Sequence, residues 1–162
     1  MKFTVMNRQA AKKYSYHEHG HSYIIISINN IDESPNRFNH NDELVNVLSL
    51  FFDDVGQGQP CCMKQSDADK IIKFVNAYMN VDECVVHCSA GVSRSAGVAA
   101  ALMKIVNDSD KEIFDDAKYS PNIGCYSLVL KSFFGSYDKE PLEEKYRCNI
   151  ETHRLNTISE NQ

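Results

Sequence analysis

Residues 85–104 read VVHCSAGVSRSAGVAAALMK. Two β-branched residues lead into His87 and Cys88, small and hydroxylated residues surround Gly91, and Arg94, Ser95 and an Ala-rich run follow. Residues 83–88 (ECVVHC) read as a short apolar strand. Residues 94–107 (RSAGVAAALMKIVN) read as a helix that is apolar nearly all round and therefore buried. A strand that passes through a short loop into a helix is the building unit of a parallel α/β sheet. In such sheets ligands bind beyond the carboxyl ends of the strands, and residues 88–94 lie there.

The composition of that loop points to a tetrahedral oxyanion. The backbone N–H groups of Ser89, Ala90, Gly91, Val92, Ser93 and Arg94 can turn inward as an anion nest, and the helix that starts near Arg94 adds its free N–H groups and positive dipole end. Gly91 permits a backbone conformation that a Cβ would hinder. Arg94 carries a planar fork matched to two phosphate oxygens. Cys88 lies beneath that anion, where the positive field favours a thiolate aligned for in-line attack. Ser95 can hydrogen-bond the sulfur as it leaves, and His87 is expected to orient the loop rather than shuttle the substrate proton.

The same alternation extends along the chain. FTVMN (3–7), SYIIISI (22–28) and the end of DELVNVLSLFF (42–52), from about Val45, read as strands. RQAAKKY (8–14) reads as a short helix. DDVGQGQP (53–60) is a loop by its glycines and proline. SDADKIIKFVNAYMN (66–80) reads as a helix capped by Ser66 or Asp67, with Ile71, Ile72, Val75 and Tyr78 on one face. SDKEIFDDAKY (109–119) reads as a helix with a Ser or Asp cap, and IGCYSLVLKSFFG (123–135) resumes helical spacing after Pro121 and Asn122. The expected architecture is a single α/β domain over 1–135 around a mostly parallel sheet of about four to five strands. A polar extension, 136–162, follows, its end without fixed structure.

His-Cys-x-x-Gly-x-x-Arg-Ser resembles the signature loop of the cysteine-dependent protein tyrosine phosphatases, and VHCSAGVSRS is closest to the dual-specificity branch. LFFDDV (50–55) resembles the acid loop of that family, with Asp54 standing 34 residues before Cys88. Ser120-Pro121-Asn122 resembles the Ser-Pro-Asn that follows the signature helix in many dual-specificity members, although the Gln-Leu pair usual after it is absent. The resemblance covers roughly 22–134. It implies a twisted, mostly parallel sheet with helices on both faces and a phosphatase acting on phosphotyrosine, with phosphoserine and phosphothreonine as further substrates. Cys88 would be nucleophile, Arg94 phosphate clamp and Asp54 general acid and base, with Asp53 as the alternative acid. No metal or organic cofactor is implied. Rival readings are a phosphoinositide or RNA 5′-end phosphatase, a phospho-binding pseudophosphatase, and a thiol redox protein, the last disfavoured because no CxxC occurs.

The bulk numbers bound these readings. The chain has 162 residues, a net charge of −5 and a pI of about 5.6. That charge disfavours nucleic acid and anionic lipid surfaces. No apolar run approaches a membrane span, and the first residues lack the apolar core of a secretory signal, so the expected location is the cytoplasm. The expected partner is a phosphorylated protein or peptide. The six cysteines, Cys61, Cys62, Cys84, Cys88, Cys125 and Cys148, are expected as free thiols. A Cys84–Cys88 bridge is excluded on one extended strand, where four residues span about 13 Å. His17, His19 and His21 alternate in HEHGH and are expected in a solvated turn rather than on a metal.

Overall fold

The computed structural model describes residues 1–136. Its elements run β1 (Lys2–Asn7), α1 (Arg8–Tyr14), β2 (Tyr23–Asn29), β3 (Leu44–Phe51), α2 (Gln65–Ala77), β4 (Glu83–Cys88), α3 (Arg94–Asn107), α4 (Lys111–Phe114) and α5 (Ile123–Phe134). The four strands form one sheet in the order β1-β4-β2-β3, every pair parallel. This is the expected α/β class, at the lower end of the expected strand number. The extension from residue 137 onward, with Cys148, lies outside the described residues.

The central strands β2 (YIIISIN) and β4 (ECVVHC) are buried along their whole length, as continuous β-branched runs require when both sheet faces are covered. Alternation then sorts their side chains. Ile24, Ile26, Ile28, Cys84, Val86 and Cys88 face the larger core, with α2, α3 and α5. Tyr23, Ile25 and Val85 face Ala11 of α1, with Phe38 packed against them. Each Val, Leu or Ile buried in this way contributes about 1.5–3 kcal/mol.

The connection between β2 and β3, residues 30–43, contains no helix. A parallel crossover needs only length, and Phe38 covers the sheet face from this irregular segment. Two local expectations need correction. Helix α2 begins at Gln65 after Lys64, so neither Ser66 nor Asp67 is its N-cap; Asp67 works from inside the first turn, its carboxylate accepting from Lys64 N–H at 3.0 Å. Helix α4 is one turn, not the stretch 109–119. Asp116 accepts from the backbone N–H of Lys118 at 3.0 Å, a local turn that competes with helix; Asp110 is the N-cap residue, within the expected Ser or Asp cap, and its carboxylate accepts from Tyr126 O–H at 2.5 Å.

Two of the HEHGH histidines, His19 and His21, are more than part of a solvated turn, while His17 is exposed as expected. Glu83, at the start of β4, is 1% exposed. It accepts from Thr4 Oγ1, from Tyr14 O–H at 2.6 Å and from His21 Nε2 at 2.8 Å, with Lys2 Nζ at 3.4 Å. His19 stacks on Tyr14 with ring centroids 3.5 Å apart. Burial pushes the Glu83 carboxyl up, but the hydrogen bonds from Thr4, Tyr14 and His21 outweigh it and hold the group at about 2.

Acid should destabilise this fold in two stages. His87 is held at about 4, chiefly by burial, against an ordinary 6.5, and Glu83 at about 2 against 4.5. Both folded values lie below the unfolded ones, so the stability that each contributes is complete above the unfolded value and lost as pH falls. His87 acts between about 6.5 and 4, and Glu83 between about 4.5 and 2. His21, raised by its bond to Glu83, works in the opposite sense: its contribution is complete below 6.5 and lost as pH rises through its raised value. Denaturant unfolding at pH 7 and pH 4 should therefore differ by ~3 kcal/mol from His87 alone. Equal stability at the two values would refute this assignment.

Candidate active site

β4 ends at Cys88, and its side chain enters the core side of the sheet because it lies two and four residues after Val86 and Cys84. The chain then turns through 89–93 into α3. Gly91 makes that turn possible. Its φ is +72°, and a Cβ there would lie 2.6 Å from Asn7 N and Met6 C. No side chain fits between the loop and the β1–α1 junction. Arg8 N–H donates to Ser89 O at 3.3 Å and ties the same junction to the loop.

The Cys88 sulfur is 2% exposed at the base of the loop. It accepts from Gly91 N–H at 3.3 Å and lies 3.0 Å from Ser95 Oγ. Arg94, though charged, is only 4% exposed. Its Nη1 donates to Phe52 O at 2.6 Å and its Nη2 to Ser89 Oγ at 3.1 Å, while its buried Nε has no partner among the described residues. A buried guanidinium N–H without an acceptor is costly unless an anion takes it.

His87 points to the opposite face of the sheet, toward Phe38. Its Nδ1 lies 3.4 Å from Cys88 O and its Nε2 2.7 Å from Ser27 Oγ. A carbonyl only accepts, so Nδ1 carries the proton of the neutral ring and Nε2 accepts from Ser27. The imidazole is wholly buried and bonds the end of β4 at Cys88 O and the hydroxyl of Ser27 on β2.

The two candidate acids diverge. Asp53 faces Ile31, whose N–H its carboxylate accepts at 3.1 Å. Asp54 faces the signature loop: its Oδ1 accepts from Ser93 Oγ and from Asn122 Nδ2, both at 2.8 Å. Asn122 also caps α5, accepting from Cys125 N–H at 3.0 Å. The Ser120–Asn122 segment is sewn to the loop, with Ser120 N–H on Val92 O at 3.0 Å and Asn122 N–H on Ser93 O at 3.1 Å. Gly97 of α3 admits this segment, since a Cβ there would sit 2.4 Å from Asn122 O.

The structure thus gathers these residues in three hydrogen-bonded sets around the loop: Cys88 with Gly91 and Ser95, Arg94 with Ser89 and Phe52, and Asp54 with Ser93 and Asn122. Ala90, Gly91 and Val92 border a cavity of about 310 Å³ between the loop, the β1–α1 junction and Lys118 and Tyr119. Sequence reading did not find Ser27 as the partner of His87 or the Phe52 carbonyl as the partner of Arg94. Ser27, a hydroxyl inside the apolar run YIIISI, was the available signal for the first. A carbonyl gives no sequence signal at all.

Among the described residues no helix is long and apolar enough to cross a membrane, and no group of three or more His, Cys, Asp or Glu side chains is placed to hold a metal ion.

No protein-family model matches this sequence, and no curated protein matches it. Solved structures do match its shape. The human tyrosine phosphatase-like serine/threonine/tyrosine-interacting protein is 18% identical with a TM-score of 0.60, covering 83% of this chain and 93% of its own. Human DUSP28 is 15% identical with a TM-score of 0.56, covering 82% and 92%. PTPMT1, solved in complex with PI(5)P, is 22% identical with a TM-score of 0.50, covering 83% and 91%. The order of strands and helices, the loop between β4 and α3 and these three likenesses agree that the chain has the dual-specificity, tyrosine-phosphatase-like fold.

Proposed function

We propose that the protein is a phosphoric monoester hydrolase acting on phosphorylated protein side chains, phosphotyrosine first, through a cysteinyl-phosphate. The observation that carries this reading is the Cys88 sulfur, held by Gly91 N–H and Ser95 at the base of a loop whose Arg94 Nε is buried and unpartnered. The phosphoryl oxygens take the loop N–H groups and the Arg94 guanidinium. The Cys88 thiolate attacks phosphorus in line, the P–O bond to the substrate breaks, and Asp54 gives its proton to the leaving oxygen. A water deprotonated by Asp54 then attacks the cysteinyl-phosphate, and the sulfur departs as a thiolate stabilised by the Ser95 hydroxyl. The chemistry needs no metal or organic cofactor. We assign the catalytic unit to residues 1–135, followed by the polar extension 136–162, and infer a cytoplasmic location.

Two features support a protein substrate over a polyanionic one. The variable loop positions Ser89, Ala90, Val92 and Ser93 carry no cation. The cavity beside them is mostly apolar, and its one cation, Lys118, is engaged by Asp116 at 3.0 Å. A phosphoinositide is the second reading, suggested by the like fold of PTPMT1, which was solved in complex with PI(5)P.

The test compares kcat/KM on matched phosphopeptides, a short-chain phosphoinositide and an activated aryl phosphate at fixed salt, for wild type, Asp54→Asn and Asp53→Asn. The best phosphopeptide should exceed the lipid. Asp54→Asn should lose about a hundredfold or more on phosphopeptides, whose leaving groups need a proton, and far less on the activated ester. Its basic pH limb should flatten while the acidic limb persists. A lipid value tenfold above the best peptide overturns the substrate class. The leaving-group pattern in Asp53→Asn but not Asp54→Asn overturns the acid.

A further inference from the structure

The segment that carries Asp54 folds back on itself and closes at its base through one backbone bond: Asp53 N–H donates to Cys61 O at 2.8 Å. Gln57 Nε2 reaches Met63 O at 3.4 Å across the same fold. The closing residue sits in a tight turn. Cys62 N–H bonds Gln59 O at 3.3 Å, which makes Pro60 and Cys61 the two central residues, and Cys61 takes the left-handed φ of 62° that the second of them requires. That conformation favours Gly or Asn, and Cys61 and Asp108 are the non-glycine residues with positive φ among those described. The carbonyl that anchors the Asp54 segment therefore belongs to a strained peptide.

The next residue is a second thiol. Cys61 is exposed and Cys62 partly exposed, and both are free. The other described thiols differ. Cys84 and Cys125 are buried, and burial pushes both thiols up; Cys88 is buried at the base of the signature loop. Two solvent-reachable sulfurs on consecutive residues can be captured by one soft atom, and a bridge between them fixes the dihedrals of both residues.

We propose that Cys61 and Cys62 form a dithiol modification site for soft thiophilic ligands that bridge two sulfurs, and that the bridge acts on the segment carrying Asp54. With an arsenoxide, R–As=O and two thiols give R–As(S–Cys)2 and water. Two S–H bonds and the As=O bond break, two As–S bonds form, and the protons leave on the oxygen with no change of oxidation state. A ring closed across Cys61 and Cys62 pulls on the turn that presents Cys61 O. Asp53 N–H then loses its acceptor, and Asp54 is displaced from Ser93 and Asn122. The catalytic consequence rests on the role proposed for Asp54; the site itself does not.

The probe is an aryl arsenoxide at one equivalent. The first measurement is peptide mapping of the full chain carrying Cys88→Ser, so that no adduct involves the nucleophile. One bridged adduct on the peptide containing Cys61 and Cys62 is expected, reversed by a small dithiol and absent from Cys62→Ser and Cys62→Ala. The second is hydrogen exchange: the Asp53 amide should exchange at least tenfold faster in the adduct. The third is activity with Cys88 intact. The adduct should lose about tenfold on a phosphopeptide and less than threefold on an activated aryl phosphate, while Cys62→Ser keeps its basal activity and resists the probe. Mapping to Cys125 or Cys148, or unchanged Asp53 exchange, overturns the proposal, as does equal loss on both substrates, which marks capture of Cys88. If the unmodified protein hydrolyses neither substrate, the function proposed above fails, and mapping and exchange alone decide the dithiol site.

Discussion

Cys88→Ser should abolish turnover while leaving the fold and oxyanion binding intact. The sulfur lies 3.3 Å from Gly91 N and 3.0 Å from Ser95 Oγ, and a serine hydroxyl can occupy the same position and keep both contacts. The backbone N–H groups of the loop and the Arg94 guanidinium are untouched, so tungstate or phosphate should still bind and raise the thermal midpoint. A serine alcohol is not ionised near neutral pH, and the adjacent imidazole, His87, lies on the other face of the sheet with its Nε2 already committed to Ser27 at 2.7 Å. The nucleophile is thus lost rather than replaced. Removing a covalent nucleophile that works as part of a unit costs on the order of 10⁴-fold or more in kcat. Turnover of an aryl phosphate within tenfold of wild type would remove Cys88 from that role.

Arg94→Ala should fail differently. Here both anion binding and turnover fall, kcat/KM by about 10³-fold, equivalent to ~4 kcal/mol of transition-state support in a site that excludes water. The expected loss has two sources. One is the charge and the unpartnered Nε that would meet the phosphoryl oxygens. The other is the 2.6 Å bond from Nη1 to Phe52 O, which holds the strand end two residues before Asp54. Arg94→Lys keeps a charge but cannot supply the planar fork, so it should recover only part of the anion affinity. Thermal unfolding of each variant separates loss of the site from loss of the fold. Oxyanion affinity in folded Arg94→Ala equal to that in Cys88→Ser would defeat the clamp assignment.

The paired variants divide the site by its chemistry. In the proposed mechanism Cys88 serves bond making, Arg94 binding and the transition state, and Asp54 the leaving group. These are separable because the three side chains come from different parts of the fold: the end of β4, the start of α3 and the segment after β3. Phe52, Ser93 and Asn122 tie them together, so a change in one of these ties should appear as a loss of coordination between Arg94 and Asp54.

The sequence by itself determined the strand–loop–helix unit and the identity of its ends. HC and RS frame a loop of small residues, and α3 begins and ends where its periodicity says, at Arg94 and Asn107. The positive-φ glycine at 91 was also legible, because a tight anion loop demands one. These features depend on backbone sterics and on the periods of contiguous residues. The choice between Asp53 and Asp54 was not legible in the same way. Adjacent residues leave a chain in opposite directions, and only the packing of the segment after β3 against Ser93 and Asn122, 39 and 68 residues away, turns Asp54 inward. The same holds for the Phe52 carbonyl beneath Arg94, 42 residues distant, and for Ser27 beneath His87, 60 residues distant. It holds also for Asn122, whose place against the loop needs the bare backbone of Gly97. Local physics wrote Cys88, Arg94 and the strand–loop–helix element that presents them. Which neighbours complete the site is fixed by strand register and helix packing, because hydrogen bonds between distant residues form only once hydrophobic burial has brought their backbones together.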